Sequence, residues 1–426
     1  MLHKNTKKAK KPKTLLRRFY AAIGPGFITG AADDDPSGVA TYSIAGAQLG
    51  TSLLWMAWVT WPMMAAVQMM CARIGMVTGR GLASALSLKI PKTIIRLFCL
   101  LLFLANTINI AADLGGMADA MQLLTGINSH ICIIIFGVGI GIAIIKFKYG
   151  QIANVLKWLA LSLFAYVITA FVIHPDWSLI AHQTFSFKIK NDKATWATIV
   201  AILGTTISPY LFFWQAAQEV EEEKLLGRDI DERKGATQAE IVDKIMDVGA
   251  GTLFSNVVMF FIILTTALTL HVHGITNISS SKEVSEALRP LAGNLATLLY
   301  TIGIVAVGLL AIPTLAGSAA YAFAETLNWR HGLDVKWGKA KSFYAVIIVA
   351  LLFAIALDFI KVNPIKALYW SAVFNGLLAP FLLIGIFLVA RDPKIMQGQA
   401  SSKTNQTVVG ITTILMFIAS VAMFII

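Results

Sequence analysis

The chain has 426 residues, of which 57% are hydrophobic and 14% are charged. Soluble globular proteins carry about 25% charged residues, so this composition excludes a soluble protein and predicts a polytopic membrane protein. The formal net charge of +12 does not indicate a nucleic-acid partner, because the basic residues lie in short loops between apolar segments. The three cysteines, Cys71, Cys99 and Cys132, have neither metal-site nor disulfide spacing.

A helix needs about 20 apolar residues to cross the hydrocarbon core of a bilayer, and the chain contains about eleven such segments. We therefore expect an all-α protein with about eleven transmembrane helices. In chain order, the segments lie at 19–47, 51–77, 93–124, 129–147, 151–174, 195–217, 240–271, 291–326, 342–360, 364–390 and 406–426.

Lysine and arginine set the predicted orientation, because cytosolic loops carry an excess of both. The tail at residues 1–18 holds six lysines and two arginines and lacks the cleavage site of a signal peptide, so we expect it to be cytosolic. Assigning each lysine and arginine to the nearer side then gives 28 cytosolic and 7 external residues, which sum to the 35 present. This predicts an integral membrane protein, of a bacterial plasma membrane, with a cytoplasmic N-terminus.

Three consecutive carboxylates, Asp33, Asp34 and Asp35, lie inside the first apolar segment and are followed by Pro36. Each charge at the centre of a membrane helix costs roughly 2.5–3.5 kcal/mol, and a proline breaks a helix. A broken helix with intramembrane carboxylates is typical of the ion site of a secondary transporter. Since successive helical residues point 100° apart, the three aspartates cannot all face one ion unless the helix unwinds. We expect one of them to cap the second half-helix.

A second break is predicted in the sixth segment, where Pro209 follows Ser208 within Gly204–Tyr210. The carbonyls freed at such a break can coordinate a cation. Breaks in segments one and six occupy corresponding positions in two repeats of five helices, which is the arrangement expected of inverted repeats. An ordinary proline kink is the alternative for segment six.

These motifs resemble the Nramp (natural resistance-associated macrophage protein) family of divalent-metal transporters. The family pattern G-P-G-F matches Gly24–Phe27, its D-P-G-N matches Asp35–Gly38, and its G-A-T-V-M-P-H matches Gly204–Tyr210. The resemblance implies a LeuT-like fold of two inverted five-helix repeats, at 19–174 and 195–390, with an additional helix at 406–426. It also implies a metal site between the broken first and sixth helices.

Several family positions are changed in this chain. The liganding aspartate is kept as Asp35, but the asparagine ligand is replaced by Gly38 and the methionine ligand by Ser208. Two histidines of the sixth helix are replaced by Tyr210 and Gln215. The proton-pathway glutamate of the third helix is Gly116, and segment nine has no arginine, so the resemblance implies weak proton coupling or none.

An oxygen-only site follows from the loss of the methionine. Thioethers favour softer metals, whereas carboxylate, hydroxyl and carbonyl oxygens suit Mg²⁺, Mn²⁺ and Ca²⁺. Mg²⁺ keeps several of its waters, and small residues leave room for them, as in the Nramp-related magnesium transporters that the pattern resembles. The predicted metal-site residues are Asp33, Asp34, Asp35, Ser37, Gly38, Thr205 and Ser208.

Further polar residues are candidates for the second shell or the ion pathway: Asp113, Asn375, Tyr210 and Gln215. Asp113 matches the family's proton-pathway aspartate and lies among Asn106, Asn109 and Asp119. It is either a remnant of a proton path or a structural carboxylate satisfied by neighbouring amides. Asn375 either contacts the site or packs helices together.

The acidic run Gln218–Glu223 ends the sixth segment. Lysines and arginines follow it and nearly balance its charge, so we expect a solvated helix end there rather than a regulatory cation site.

The sequence therefore predicts a divalent-cation transporter that works by alternating access, with hydrated Mg²⁺ as first choice and Mn²⁺ second. A proton-coupled Mn²⁺/Fe²⁺ importer and a cation-coupled amino-acid transporter are the alternatives. No nucleophile–base pair or nucleotide-binding loop indicates an enzyme. No cofactor and no protein partner besides the metal and the lipid bilayer are expected.

Overall fold

The computed structural model describes residues 25–147, 161–187, 189–228, 232–360 and 362–426. The predicted tail at 1–18, the first residues of segment one and most of the first half of segment five lie outside these ranges. Within them the regular structure is entirely helical.

The α-helices vary in length from 4 to 34 residues. In chain order they are α1 (Pro25–Asp33), α2 (Pro36–Leu49), α3 (Trp55–Thr78), α4 (Leu82–Leu86), α5 (Lys92–Thr125), α6 (Ser129–Lys146), α7 (Phe164–Val172), α8 (Trp177–Thr184), α9 (Lys193–Thr206), α10 (Pro209–Leu225), α11 (Gln238–Thr266), α12 (Ser281–Glu286), α13 (Arg289–Ala292), α14 (Ala296–Thr326), α15 (Lys341–Leu357), α16 (Pro364–Ala390) and α17 (Lys403–Ile425).

Seven spans among the described residues are long and apolar enough to cross a membrane, or nine if each of two sharply bent helix pairs is one span. The seven correspond to predicted segments three, four, six, seven, eight, ten and eleven. Segment two is α3, which meets this criterion of length and hydropathy only when it is taken together with α2. Segment nine is α15, which has 17 residues. Every predicted segment thus contains a helix, although in four of the eleven segments no single helix is both long and apolar enough to cross a membrane.

Both predicted breaks are present. Helix α1 ends at Asp33 and α2 begins at Pro36, while α9 ends at Thr206 and α10 begins at Pro209. Proline is favoured as the first residue of a helix, because the amide hydrogen that it lacks would have no partner there. The same proline prevents the preceding helix from continuing.

Helix α11 lies along both halves of the first broken helix through contacts with glycine. A methyl group added at Gly30 would lie 2.3 Å from the backbone of Gly251, and one at Gly46 would lie 2.3 Å from the Ile263 carbonyl oxygen. Small residues let membrane helices approach closely. Ser255 lies between these two contact points on α11 and therefore faces the break.

Helix α16 packs against α9 in the same way. A methyl group at Gly204 would lie 2.0 Å from the Ala372 carbonyl oxygen, and one at Gly376 would lie 2.3 Å from that of Val200. The two breaks are thus held between α11, α16 and the long helix α5, which supplies the remaining polar groups.

Candidate metal site

The residues that the sequence predicts for the site are buried. At most 3% of each is exposed, and Gly38 is buried as well. None of these side chains is therefore open to solvent in this structure. The buried set comprises Asp33, Asp34, Asp35, Ser37, Thr205, Ser208, Tyr210, Gln215, Asp113 and Asn375.

Asp35 is the residue that caps the second half-helix. Its Oδ1 accepts a hydrogen bond of 2.7 Å from the Gly38 amide, which is the usual role of an aspartate at a helix N-cap. Its Oδ2 accepts one of 2.9 Å from Asn109 Nδ2 on α5. These two bonds fix the carboxylate at the break while leaving lone pairs on both oxygens.

Asp33 and Asp34 face a different helix from Asp35. Ser255 Oγ on α11 lies 2.8 Å from Asp33 Oδ2 and 3.1 Å from Asp34 Oδ1. A hydroxyl has a single proton to donate, so Ser255 satisfies only one of the two carboxylates at a time. The other oxygens, Asp33 Oδ1 and Asp34 Oδ2, have no hydrogen-bond partner among the described residues.

The three aspartates are therefore divided between two sides of the break. In the part of the chain that the structure describes, no three His, Cys, Asp or Glu side chains are grouped closely enough to hold a metal ion together. A cation at this break would thus be bound by one or two carboxylates together with hydroxyl, carbonyl or water oxygens.

Gly38 lies between the two breaks. A methyl group there would be 3.1 Å from Thr205 Oγ1, 3.3 Å from the Asp33 carbonyl oxygen and 3.5 Å from Asp35 Oδ1. Glycine at position 38 thus lets oxygen atoms from both broken helices approach one point of α2 closely, with little room left for a side chain.

Ser208 lies at the second break and donates toward the end of α9. Its Oγ is 2.7 Å from the Gly204 carbonyl oxygen and 2.6 Å from that of Thr205. Pro209 has no amide hydrogen for the Thr205 carbonyl, so the Ser208 hydroxyl supplies the missing donor. Both carbonyls point toward the break because they end a helix.

Tyr210 connects the second break to the first. Its hydroxyl donates a hydrogen bond of 3.0 Å to the Ala32 carbonyl. In a continuous helix that carbonyl would accept from residue 36, but Pro36 has no amide hydrogen. At each break a hydroxyl from the second broken helix therefore replaces the missing amide donor. Ser208 does so at the second break and Tyr210 at the first.

Two predicted residues face α16 or lie on it. Ser37 Oγ donates to the Leu368 carbonyl at 3.1 Å and lies 3.3 Å from Ser371 Oγ. Asn375 is one turn further along α16, and its Oδ1 has no hydrogen-bond partner among the described residues. The Ser37 hydroxyl thus contributes to helix packing here, whereas the Asn375 oxygen has unused acceptor capacity.

Gln215 belongs to a buried ionic network rather than to the breaks. Its Nε2 donates to Glu219 Oε1 at 2.7 Å, and Glu219 pairs with Lys244 Nζ at 3.1 Å. Lys244 also lies 3.4 Å from Asp247, whose Oδ2 accepts from the Gly26 amide at 2.8 Å. The network therefore joins the start of α1 to α10 and α11.

The prediction of a solvated acidic helix end is wrong for part of Gln218–Glu223. Glu219 is 2% exposed and Glu223 is 5% exposed, whereas Glu222 is exposed and also contacts Lys244 at 3.1 Å. Burial without a partner would be costly for these carboxylates, and a lysine from α11 compensates Glu219.

Sequence reasoning missed Ser255, Lys244 and Asp247. A serine in an apolar helix carries no distinctive pattern, so Ser255 could not have been found from the sequence. Lys244 and Asp247 lie inside a predicted membrane segment, however, and intramembrane charge is a sign of function. That sign could have identified them.

The family model "Natural resistance-associated macrophage protein-like" matches residues 26–426. This range covers nearly the whole chain and includes both breaks. The chain belongs to this family. The resemblance predicted from the two motifs is thus confirmed, and the Nramp chain is an integral membrane protein.

Two curated relatives have the same description. A "Divalent metal cation transporter MntH" of Caldanaerobacter subterraneus subsp. tengcongensis is 24% identical over 389 residues, which are 90% of this chain and 87% of the relative. A protein of that description from Yersinia pestis is 28% identical over 308 residues, 69% of this chain and 71% of the relative. These relatives are transporters, which agrees with the prediction that the chain is not an enzyme and needs no cofactor.

Solved structures confirm the predicted fold class. The Eremococcus coleocola manganese transporter, in complex with an aromatic bis-isothiourea compound, aligns with a TM-score of 0.75 at 17% identity, over 97% of this chain and 88% of its own. Mhp1, a nucleobase-cation-symport-1 family transporter, aligns with a TM-score of 0.56 at 16% identity, over 94% and 90%. At these identities the similarity concerns the fold alone.

Proposed function

We propose that this Nramp protein carries a hydrated divalent cation across a bacterial plasma membrane by alternating access, with Mg²⁺ preferred and Mn²⁺ second. Family membership and the curated relatives support the coarser part of this statement, the transport of a divalent metal cation. Asp35 is the direct carboxylate ligand in this proposal. The carbonyls at both breaks replace part of the water shell.

One observation carries the preference for a hard cation: oxygen atoms of both broken helices converge on the Gly38 position. Thr205 Oγ1, Asp35 Oδ1 and the Asp33 carbonyl lie around it, and Ser208 replaces the family's thioether at the second break. Oxygen ligands suit Mg²⁺ and Mn²⁺, and Mg²⁺ usually keeps several of its waters when it is bound. We include Asp34, Ser37 and the Asp33 side chain in the wider set of candidate ligands.

The burial of the site supports alternating access. A cation cannot reach Asp35, which is 2% exposed, unless a helix moves. The network of Glu219, Lys244 and Asp247 holds the start of α1 against α10 and α11. In the predicted orientation this contact closes the cytosolic side, so its opening would release the ion inward.

The surroundings of position 116 support weak proton coupling or none. A side-chain atom at Gly116 would lie 2.9 Å from Leu368 Cδ1, so the family's glutamate position has an apolar neighbour. Tyr210 donates its proton to a carbonyl and Gln215 does not titrate. Uptake would then be driven by the ion gradient and the membrane potential, which contributes about 2.3 kcal/mol per charge per 100 mV.

Metal titration tests the proposed selectivity. We expect the purified protein to bind Mg²⁺ and Mn²⁺ more tightly than Cd²⁺, and Asp35→Ala to raise the Mg²⁺ Kd at least tenfold, about 1.4 kcal/mol. Asp119→Asn is the control, because that carboxylate accepts from the Ser281 amide on α12 instead. Tighter binding of Cd²⁺, or an unchanged Kd in Asp35→Ala, would contradict the proposal.

Liposome uptake separates the proposal from the alternatives. We expect Mg²⁺ to enter without acidification of the lumen, at a rate that rises with an inside-negative potential. A fixed ratio of protons to metal would instead identify a proton-coupled Mn²⁺/Fe²⁺ importer. Uptake of amino acids would identify a cation-coupled solute transporter, which the carboxylates at the break disfavour because they repel an anionic substrate.

A further inference from the structure

Asn109 on α5 bridges two buried carboxylates. Its Nδ2 lies 2.9 Å from Asp35 Oδ2 and 3.2 Å from Asp113 Oδ2. A side-chain amide nitrogen has two protons, so Asn109 can donate one to each carboxylate at the same time. All three residues are 2% exposed or less. Asp113 is thereby linked to the metal-site aspartate through a single side chain.

Two oxygens of this group have no hydrogen-bond donor among the described residues: Asn109 Oδ1 and Asp113 Oδ1. Leaving a buried acceptor without a donor is costly, and in native structures an ordered water or an ion commonly supplies the partner of such a group. Protein side chains alone do not complete this group, and water molecules would.

A hydrated cation brings such donors to the site. Mg²⁺ is usually bound by one or two carboxylates and keeps several waters, and each of these waters needs acceptors in a buried site. With Asp33 and Asp34 facing Ser255, Asp35 is the carboxylate that faces α5. The group of acceptors beside it is that of Asn109 and Asp113.

We infer that Asn109 and Asp113 form the outer sphere of the cation site, in which Asn109 positions Asp35 and both residues accept hydrogen bonds from water on the ion. The inference rests on the proposed function and adds Asn109 to the predicted site. It gives Asp113 a role that is neither a proton path nor purely structural.

The outer sphere favours the ion that holds its water more firmly. Mg²⁺ dehydrates reluctantly, whereas Mn²⁺ exchanges water more readily. Loss of the acceptors therefore weakens Mg²⁺ binding more than Mn²⁺ binding. Loss of a group that only orients Asp35 weakens both equally, so the ratio of the two dissociation constants distinguishes these roles.

The test is Asn109→Leu, which keeps a similar volume and removes both the donor and the acceptor. Asn106→Leu is the matched control, because Asn106 is also a buried amide on α5 but donates to the Leu315 carbonyl at 2.8 Å and to Ser318 at 2.9 Å, both on α14. We expect Asn109→Leu to raise the Mg²⁺ Kd at least tenfold and the Mn²⁺ Kd about threefold or less. Asn106→Leu should leave the ratio of the two unchanged.

Two further variants keep the test decisive. Asn109→Ser repeats it with a polar side chain too short to bridge both carboxylates, in case the leucine variant does not fold. Asp113→Asn retains one acceptor oxygen and should raise the Mg²⁺ Kd three- to tenfold. Folded variants with a Mg²⁺ Kd within twofold of wild type, or with equal losses for both ions, would overturn the inference. Failure of Asp35→Ala to weaken binding would instead overturn the proposed function.

Discussion

At the scale of single residues, Ser208 decides the chemical character of the second break. The family resemblance places a thioether at this position, and the Ser208 hydroxyl lies within hydrogen-bond distance of the two carbonyls that Pro209 and the helix end leave without an amide donor, with one proton to donate between them. The serine thus contributes an oxygen to the break and stabilises the end of α9 as well. Restoring the thioether separates these two roles.

We predict that Ser208→Met shifts selectivity toward soft metals, because a thioether favours Cd²⁺ over Mg²⁺. The Cd²⁺ Kd should fall at least tenfold relative to that of Mg²⁺ in parallel calorimetric titrations. Ser208→Ala is the control, since it removes the same hydroxyl without adding sulfur. Equal selectivity in the methionine and alanine variants would show that residue 208 does not contact the ion.

The sequence predicted some of these residues and not others. Asp35 and the two prolines were predictable, because an aspartate–proline pair inside an apolar segment is a local pattern. The partners of the aspartates were less predictable: Asn109 is 74 positions from Asp35, and Ser255 is 222 positions from Asp33. Such contacts depend on how each helix is turned about its axis relative to its neighbours. Hydrophobicity alone does not determine that orientation.

At the scale of helices, the two breaks form one hydrogen-bonded unit. The Tyr210 hydroxyl on α10 completes the carbonyl that Pro36 leaves unpaired at the end of α1. The relative position of the two half-helices is thus fixed by a bond between them.

We expect Tyr210→Phe to lower stability by about 1–3 kcal/mol, because the Ala32 carbonyl is left buried without a donor. Tyr166→Phe is the control: that tyrosine is buried as well, but its hydroxyl faces the Ser43 hydroxyl rather than a carbonyl at a helix break. Thermal unfolding of both variants, followed by fluorescence in the same detergent, measures the difference. Equal melting temperatures would indicate that the bond to Ala32 has no net effect.

The contact of α10 and α11 depends on one lysine. Replacing Lys244 by methionine leaves Glu219 and Asp247 without their buried cation, and breaking a buried ion pair costs about 3–5 kcal/mol. Lys224→Met should cost 1 kcal/mol or less, because its pair with Glu221 is partly exposed. Addition of Glu219→Gln should recover part of the stability lost in Lys244→Met. Similar melting temperatures for the two lysine variants would argue against a structural role for the network.

At the scale of the whole molecule, the sequence predicted the number of membrane helices approximately and their positions along the chain well. Apolar length identifies a membrane helix without knowledge of its neighbours, and proline marks a break locally. The packing of α11 along both α1 and α2, and of α16 along α9, was not predictable in this way. Those contacts use Gly30, Gly204 and Gly376, and glycines in membrane helices are too common to reveal their partners.

The predicted orientation is testable with single cysteines. The native cysteines are all buried, so background labelling should be low. We expect Thr125→Cys, at the exposed end of α5 beside the predicted external turn, to react with a membrane-impermeant maleimide on intact cells. Lys336→Cys, in the predicted cytosolic loop before α15, should react only after permeabilisation. The reverse pattern would place the N-terminus outside.

The glycines differ in how much change they tolerate, which bears on how ion selectivity evolves. Any side chain at Gly30 or Gly204 would collide with the backbone of the neighbouring helix at 2.0–2.3 Å, whereas the nearest atom to a side chain at Gly38 would be 3.1 Å away, a tight but adjustable contact. Natural selection can therefore exchange the residue beside the proposed ion site while the scaffold glycines stay fixed. The lineage of this protein could acquire a new substrate ion through few substitutions, without rebuilding the helix bundle around it.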